Sequence, residues 1–448
     1  MPPEPRPPDR NQNEWTVYIN ESLERMPVDE QQIWKKRCVY KVSTCGTDLN
    51  HKAYQPQAVS FGPYHHGEDR LCPMEEHKNR ALLHFLKRSG KRLEPFLESL
   101  REVARDLEES YEALDPKWKE GGSEGTGRFL ELMITDGCFM LEILRTATQV
   151  VDATQVVDDY APNDPIFSNH GKLYIMPYIR RDMLMLENQL PMLVLDRLVS
   201  VESDGKKDDE FVNNLILKFC SPSTRVTKMG KCLHVLDIFR KSRLTEPKKK
   251  VHHQLFKMGH DDREEIIRSA AELDEAGIRL KKSKTDSLKD ISFSKGVLRL
   301  PVIVVDDTTE STFLNLIAFE RFHVGAGNEV TSYIFFMDNI IDSARDVALL
   351  HARGIIQNAI GSDKAVARLF NSLSKDVTLE PDSSLDAVHK KVSRYCKKPW
   401  NAWRANLIHT YFRNPWAVLS LVAAIFLFAL TTTQTVYSVL SYYKPNNS

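Results

Sequence analysis

The sequence predicts a mainly α protein of the α+β type: a helical body with a few short strands, followed by one C-terminal transmembrane helix. Apolar residues recur at helical spacing through most of the chain, which favours helices. The stretch 277–306 instead alternates and is rich in Val, Ile and Leu, which favours strands. A long apolar run near the C-terminus has the length and the flanking residues of a membrane span.

Composition narrows the possible functions. The 448 residues are 42% hydrophobic and 27% charged, as in folded proteins. The 61 Lys and Arg balance 61 Asp and Glu, which argues against a general nucleic-acid binder. No acid follows Asp386, so eight Lys and Arg give residues 387–448 a charge of +8 and leave −8 on residues 1–386. The seven cysteines are scattered without a C-x-x-C pair, which predicts reduced thiols and no zinc ribbon.

Along the chain, a strand is predicted at 39–43, and a helix over 73–88 that breaks or restarts at Pro95. The glycine-rich stretch 121–127 is predicted to be a flexible link before a helix over 128–146. The apolar period of 180–198 predicts one helix, kinked at Pro191.

The second half begins with two charged stretches, 202–210 and 245–265, which are interpreted as variable loops. Two or three strands are predicted within 277–306, and helices resume near Glu310. One of these helices is predicted to carry a single apolar face from Val330 to Ala348. The apolar faces on both sides of residue 202 need each other, so we expect one composite body. The sequence thus predicts an N-terminal extension with a disordered start (1–36), a composite domain (37–386), a basic juxtamembrane segment (387–415), a transmembrane helix (416–440) and a short tail (441–448).

The predicted transmembrane helix is the strongest signal in the sequence. Residues 417–440 at roughly 1.5 Å each give roughly 36 Å, enough to cross a hydrocarbon core of about 30 Å. Threonines 431 to 433 and Ser438 can bond their hydroxyls to helix carbonyls. The excess of Lys and Arg before the span predicts a cytosolic body. The short tail after the span, 441–448, predicts that the helix is inserted after synthesis, as in tail-anchored proteins. The length between the aromatic residues at its two ends favours the plasma membrane over the endoplasmic reticulum. A buried core helix is the alternative, but it does not explain the residues expected at the membrane interfaces, which are Tyr411, Phe412, Arg413, Trp416, Tyr437, Tyr442 and Tyr443.

Gln434 lies within this span and has two interpretations. A polar amide in lipid favours a partner, so it could support association between helices and hence a homo-oligomer. Alternatively it lies near the far interface and is solvated there.

Three histidines are the only metal-ligand candidates, namely His65, His66 and His77, together with Glu75 or Glu76. Adjacent residues point in different directions, however, and no H-E-x-x-H is present. A turn shaped by glycine and proline that leads into a helix explains the same residues, so no metal and no cofactor are predicted.

Two carboxylates, Asp136 and Glu187, are flanked by apolar residues and could be buried acids. A pair of buried acids is how glycosidases work, but each more often accepts a structural hydrogen bond or pairs with an arginine. Asp306 and Asp307 end a strand, where catalytic acids occur in many folds, but the run "DDTTES" also reads as an ordinary helix start. No catalytic residue is predicted.

The chain lacks a phosphate-binding loop, a dinucleotide fingerprint, a kinase set and a nucleophile elbow. It does contain, in order, "VSFGPYHHG", "DGCFMLEIL", "DMLMLENQLPMLVLDRL", "GVLRLPVIVVDDTTESTFLNLIAFER" and "NPWAVLSLVAAIFLFALTTTQTVYSVLSYY". In these motifs it resembles the plant family catalogued as domain of unknown function 247. The resemblance implies a land-plant source and a single membrane pass, and supplies no catalytic residues. Some grass members are associated with pollen–stigma recognition, which points to recognition or signalling by association only.

Three hypotheses follow. The first is a non-enzymatic, membrane-tethered recognition or signalling component that contacts the lipid bilayer and an unknown protein partner, and no nucleic acid. The second is an enzyme with an unrecognised site that joins Asp136, Glu187 and His65 or His66. The third is a structural membrane protein that self-associates through its span.

Overall fold

The computed structural model describes residues 36–42, 50–119, 123–148, 160–222, 228–246, 268–375, 384–398 and 415–443, with 15–17, 19, 20 and 23 near the N-terminus. These residues form a mostly helical body with few short strands, as the sequence predicts. The helices are α1 (Pro73–Ser89), α2 (Glu94–Arg101), α3 (Ala104–Glu109), α4 (Ser123–Thr148), α5 (Asn169–Tyr174), α6 (Met176–Asp182), α7 (Met192–Ser203), α8 (Asp209–Cys220), α9 (Val235–Arg243), α10 (Ala270–Glu275), α11 (Thr309–Phe322), α12 (Glu329–Ile340), α13 (Ala344–Ala352), α14 (Asp363–Leu373), α15 (Ser384–Cys396) and α16 (Pro415–Tyr443). The strands are β1 (Arg279–Lys282), β2 (Ser292–Ser294), β3 (Val297–Leu300), β4 (Ile303–Val305) and β5 (Ile356–Asn358).

Helix α1 has conventional start and stop residues. Pro73 occupies its first turn, where a missing N–H costs nothing. Gly90 ends it in the left-handed conformation and donates its N–H to the last carbonyls. The predicted restart at Pro95 is confirmed, because α2 carries this proline in its first turn.

Helix α4 is the centre of the body and packs against α1, α2, α7 and α8. At the crossing with α7, a Cβ on Gly137 would lie 2.6 Å from Leu198 Cδ1 and 3.0 Å from Val194 Cγ1, so a larger residue would require these side chains to shift. The helix begins at Ser123, so the flexible link predicted through residue 127 is wrong there. Burial of a long helix outweighs the propensity cost of two glycines, about 1 kcal/mol each.

The single helix predicted over 180–198 is instead two helices. Helix α6 ends at Asp182, α7 starts at Met192, and turns connect them. Pro191 is the N-cap of α7 and not a kink. The residues from Met183 to Leu186 are all buried. Their apolar spacing therefore reflects burial on all sides and not one helical face.

The strands form two small sheets. Strands β1, β3 and β2 are neighbours in that order, with β1 parallel and β2 antiparallel to β3. Strands β4 and β5 form a parallel pair. The region 277–306 thus holds four strands, more than predicted. The strand predicted at 39–43 is wrong over 39–42, where Val39 makes only an isolated bridge to Tyr111, and residue 43 lies outside the described residues.

The apolar face predicted from Val330 to Ala348 is divided between two helices. Helix α12 ends at Ile340, and a capping box between Ser343 and Asp346 starts α13 in a new direction. Ala348 is exposed as a result. The sequence pattern could not show this break, because the apolar residues keep a helical spacing across the short turn between the two helices.

The basic segment begins with α15, an amphipathic helix. Leu385 and Val392 are buried, and Tyr395 packs edge-on against Phe293 of β2 with ring centroids 5.4 Å apart. Helix α16 is long and apolar, and its residues 419–443 are long enough to cross a membrane.

Candidate functional site

The most chemically rich part of the body surrounds residues 55–64, which we call the buried segment. It has no regular secondary structure, yet Val59 and Phe61 are completely buried. Buried backbone outside helices and sheets needs other partners for its N–H and C=O groups. The partners are the side chains of Asp136, Asp182 and Asn188.

Asp182, at the end of α6, binds the first part of the buried segment. Its carboxylate accepts the N–H groups of Gln57 at 2.9 Å, Ala58 at 2.6 Å and Val59 at 3.1 Å. Burial raises the pKa of Asp182, and these three donors counteract part of that effect. The carboxylate thus accepts the backbone N–H groups that the carbonyls of a neighbouring strand would accept in a sheet.

Asn188 binds the middle of the buried segment. Its Oδ1 accepts the N–H of Phe61 at 2.7 Å, and its Nδ2 donates to the carbonyls of Val59 and Asp182, each at 3.0 Å. The neighbouring Gln189 donates to the carbonyls of Met183 and Met185 and so braces the turns between α6 and α7. An amide suits these positions because it both donates and accepts.

Asp136 of α4 binds the far end of the buried segment and forms a buried ion pair. Its Oδ2 accepts the N–H of Gly62 at 2.8 Å, and its Oδ1 lies 2.7 Å from the ammonium of Lys78. Lys78 also contacts Glu75 at 2.7 Å and Ser60 at 3.1 Å. Neither Lys78 nor Asp136 is exposed to solvent. Burial raises the pKa of Asp136, and the Lys78 ammonium counteracts it.

His65 lies between two carboxylates. Its Nδ1 is 2.6 Å from Glu68, and its Nε2 is 3.5 Å from Glu187. Burial alone would lower the pKa of His65, but Glu187 and Glu68 outweigh it, so the pKa is raised. Glu187 also accepts the N–H of Val42 at 2.6 Å. His65 therefore connects the turn after the buried segment to the start of the body.

The other two histidine candidates lie apart from this pair. The ring of His66 packs edge-on against Trp118, with centroids 5.6 Å apart. His77 Nδ1 is 3.1 Å from a guanidinium nitrogen of Arg80. Within the described residues, no three His, Cys, Asp or Glu side chains are placed to bind a metal ion.

The structure thus brings His65 and Glu187 together, while Asp136 is engaged by Lys78 and Gly62. A histidine–carboxylate pair can transfer protons. Here His65 is also bonded to Glu68, and Glu187 is bonded to a backbone N–H, so both groups already have partners. Asp306 accepts from Thr308 and Thr309 and so performs the helix-start role.

Sequence reasoning missed Lys78, Asp182 and Asn188. A signal for Lys78 was available, because it shares the buried face of α1 with Met74, Ala81 and Phe85. The polar run "ENQ" between apolar residues was a signal for Asn188. Asp182 gave none, since it follows two arginines and resembles a surface acid.

The predicted membrane-interface residues fall partly outside the described chain. Tyr411, Phe412 and Arg413 do so, whereas the other four lie on α16, where Trp416, Tyr437, Tyr442 and Tyr443 are all exposed. The predicted hydroxyl bonds are confirmed for threonines 431, 432 and 433, which each donate to the carbonyl four residues earlier at 2.8 Å. These bonds reduce the cost of placing hydroxyls in lipid.

Comparison with known proteins agrees with the motifs. A sequence model of the family described as plant protein of unknown function, domain of unknown function 247, matches residues 39–430. A UPF0481 protein of Arabidopsis thaliana is 33% identical over 440 residues, covering 90% of this chain and 87% of its own. A putative UPF0481 protein of the same plant is 22% identical over 96% of both chains. No solved structure matches. The chain therefore belongs to this plant family of unknown function.

Proposed function

We propose that this protein is a membrane-tethered, non-enzymatic component that recognises another protein through its body. The observation that carries the proposal is how the reactive side chains are used. Asp136, Asp182, Glu187 and His65 bind backbone or ion partners that stabilise the fold. Side chains used in this way stabilise the fold. We therefore assign recognition of the partner to the surface of the body.

Helix α16 supports the tether. Residues 419–443 are strongly apolar, and none of them is buried against the body. Burial would be expected of a core helix, and its absence favours a lipid environment. We keep the cytosolic orientation of the body as part of the proposal, on the charge of the preceding segment.

The charged stretch at 202–210 is the first surface to consider for a protein partner. Residues 204–208 are exposed. Its acids Glu202 and Asp204 form ion pairs with Arg145 and Lys91, so the base of the loop is fixed while its tip is free to vary. Of the second stretch, residues 247–265 lie outside the described residues.

Proximity labelling in plant membranes tests the proposal. We would compare the intact chain with one in which residues 415–443 are replaced by an unrelated membrane span. Partners that depend on the body should be recovered from both chains. Loss of all partners after the replacement, or recovery of copies of the chain alone, would refute recognition by the body.

Self-association through α16 is a second candidate, favoured by one face of that helix. Thr431, Gln434, Thr435 and Ser438 line a shallow groove on it. Gln434 lies three residues, about 4.5 Å along the helix, from the middle of 419–443 and from Tyr437 of the predicted interface. An amide there can donate to and accept from the same residue of a second copy.

A pair of variants tests this candidate. Gln434→Leu should reduce disulfide-independent dimers in native detergent gels and in membrane resonance-energy-transfer assays. The matched control, Val422→Leu, changes an exposed apolar residue of the same helix and should leave the dimers unchanged. Equal dimer fractions in all three chains would exclude a role for Gln434.

A further inference from the structure

The three-stranded sheet presents a positively charged face to solvent. Leu280, Leu298 and Leu300 point into the core and are buried. Side chains alternate along a strand, so the neighbours of these leucines point outward. On the outer face, Arg279 and Lys281 of β1 are exposed, and Arg299 of β3 is partly exposed.

The register places like charges side by side. Lys281 pairs directly with Arg299 on the neighbouring parallel strand, and Arg279 is two residues from Lys281 on the same face. Adjacent strands are about 4.8 Å apart, and like charges at paired positions destabilise a sheet. None of the three cations makes an ion pair with any residue in the described ranges. The fold therefore carries an electrostatic cost here that an external anion would remove.

The surroundings extend this positive charge. Ser292 of β2 pairs with Arg299 and offers a hydroxyl, and Lys295 is exposed in the turn between β2 and β3. Helix α15 packs against the edge strand β2, where Tyr395 contacts Phe293 on the face that the register shares with Leu298. Between residues 277 and 306 seven Lys and Arg face three Asp, although the first 386 residues as a whole are negative. The charge is thus concentrated on one part of an otherwise acidic body.

We propose that this face, made by Arg279, Lys281 and Arg299, docks the body onto an anionic membrane leaflet. The inference rests on the proposed membrane tether and adds a second contact to it. A membrane is the favoured occupant because its anionic headgroups complement the charge of this face. Helix α15, which packs against β2 of the same sheet, is joined to α16 by only the residues 397–414, so the sheet stays within reach of the headgroups. Each cation near an anionic surface strengthens docking about fivefold.

Lysine footprinting of the full-length chain in nanodiscs tests the docking. An acetylating reagent is applied in discs of phosphatidylcholine alone and in discs that also contain phosphatidylserine. Lys281 and Lys295 should be protected only in the anionic discs, and 0.5 M salt should remove the protection. Lys206 and Lys228, which are exposed on other parts of the body, serve as internal controls and should label equally in both discs.

A double variant makes the test specific. Arg279→Gln with Arg299→Gln should lower the ratio of docked to undocked chains about 25-fold, read as renewed labelling of Lys281. The matched control, Arg92→Gln with Arg101→Gln, removes the same charge from exposed positions near α2 and should keep the protection.

Three results would overturn the inference. These are equal labelling of Lys281 in both discs, loss of protection in the control variant, and protection in neutral discs on adding inositol hexakisphosphate, which would indicate a site for a soluble anion. Failure of the tether itself is read separately, as a chain that does not co-migrate with neutral discs.

Discussion

Lys78 is a fully buried cation whose charge is matched inside the core. Its ammonium contacts Asp136, Glu75 and Ser60, so all three of its protons have acceptors. Removing one partner of such a pair leaves an uncompensated buried charge, which costs far more than the pair contributes. A large loss of stability when one partner is removed is therefore the result expected if this ion pair has a structural role.

Lys78→Met should therefore lower the free energy of unfolding by about 3 to 5 kcal/mol, because Asp136 would remain buried without its cation. Denaturant titration of the detergent-solubilised chain measures it. The double variant Lys78→Met with Asp136→Asn should recover part of the loss, since an amide oxygen still accepts from Gly62 without a charge. A single variant within about 1 kcal/mol of the parent chain would contradict the structural role.

Two buried histidines should give opposite pH dependences. His234 Nε2 lies 3.0 Å from the carbonyl of Cys38, and its Nδ1 accepts the N–H of Asp237, so the neutral ring is fully bonded. Burial lowers the pKa of His234 to about 4. The pKa of His65 is raised by its two carboxylates, which outweigh burial.

For His234, the unfolded chain takes up a proton near pH 6.5 and the folded chain only near pH 4, so stability is lost as pH falls through this window. The full loss is about 3 kcal/mol. His234→Asn keeps an acceptor for Asp237 and cannot titrate, so its melting temperature should change less between pH 6.5 and 4. Identical pH profiles for both chains would refute this assignment.

For His65, the sign is reversed. The contribution of His65 to the free energy of unfolding is fully present below its pKa in the unfolded chain, about 6.5. It is lost as pH rises through the higher pKa of His65 in the folded chain. His65→Gln should therefore lose stability at pH 6 and approach the parent chain at alkaline pH. Melting temperatures across this range measure it, and a constant difference would show that His65 stays neutral.

The candidate site was only partly predictable at this scale. Apolar neighbours pointed to Asp136 and Glu187, because flanking hydrophobicity reports burial. The contact between His65 and Glu187 was not predictable, since it joins residues 122 positions apart and depends on how α6 meets the buried segment. The polar side chains that bind an irregular segment do not recur at a fixed spacing, so the sequence pattern cannot identify them.

At the scale of elements, one glycine lies inside the buried segment and a second lies three residues after it. Gly62 has φ +73°, and a Cβ there would lie 2.8 Å from Tyr111 Oη and 2.9 Å from the Gln189 carbonyl. Gly67 has φ +84°, and nothing lies within 4 Å of its added Cβ. The two positions share a left-handed backbone conformation and differ only in the room available for a side chain.

Gly67→Ala should cost about 1 kcal/mol of unfolding free energy, from the left-handed conformation alone. Gly62→Ala adds a clash with backbone and should cost about 2 to 5 kcal/mol. Thermal denaturation of both variants side by side measures the difference. Equal losses would mean that the turn around Gly62 relaxes and is not fixed by its neighbours.

Helices with one apolar face and clear caps were the predictable elements. Helix α1 and the restart at Pro95 followed from proline and glycine chemistry, which acts locally. The helix predicted across Pro191 was wrong because residues 182–186 are buried on all sides. Complete burial removes the periodicity that distinguishes helix, strand and turn.

At the scale of the whole molecule, α16 differs from every other described helix in being long, apolar and exposed. Deleting residues 415–443 should move the body from the membrane fraction to the supernatant, because the remaining cations hold a membrane only through screened charge. Fractionation before and after a high-salt wash measures it. A body that still pellets after the wash would contradict the tether.

The partners of the buried segment determine when the body can fold. Asp136 is 74 positions from Gly62, and Asn188 is 127 positions from Phe61. Such long-range closure is slow, so nascent chains shorter than about 190 residues leave the motif "VSFGPYHHG" without its ligands. Translation at about 5 to 20 residues per second leaves roughly 10 to 45 s between the emergence of Asn188 and that of α16. The order of the sequence therefore gives the buried segment time to bind its partners on the ribosome before α16 is made.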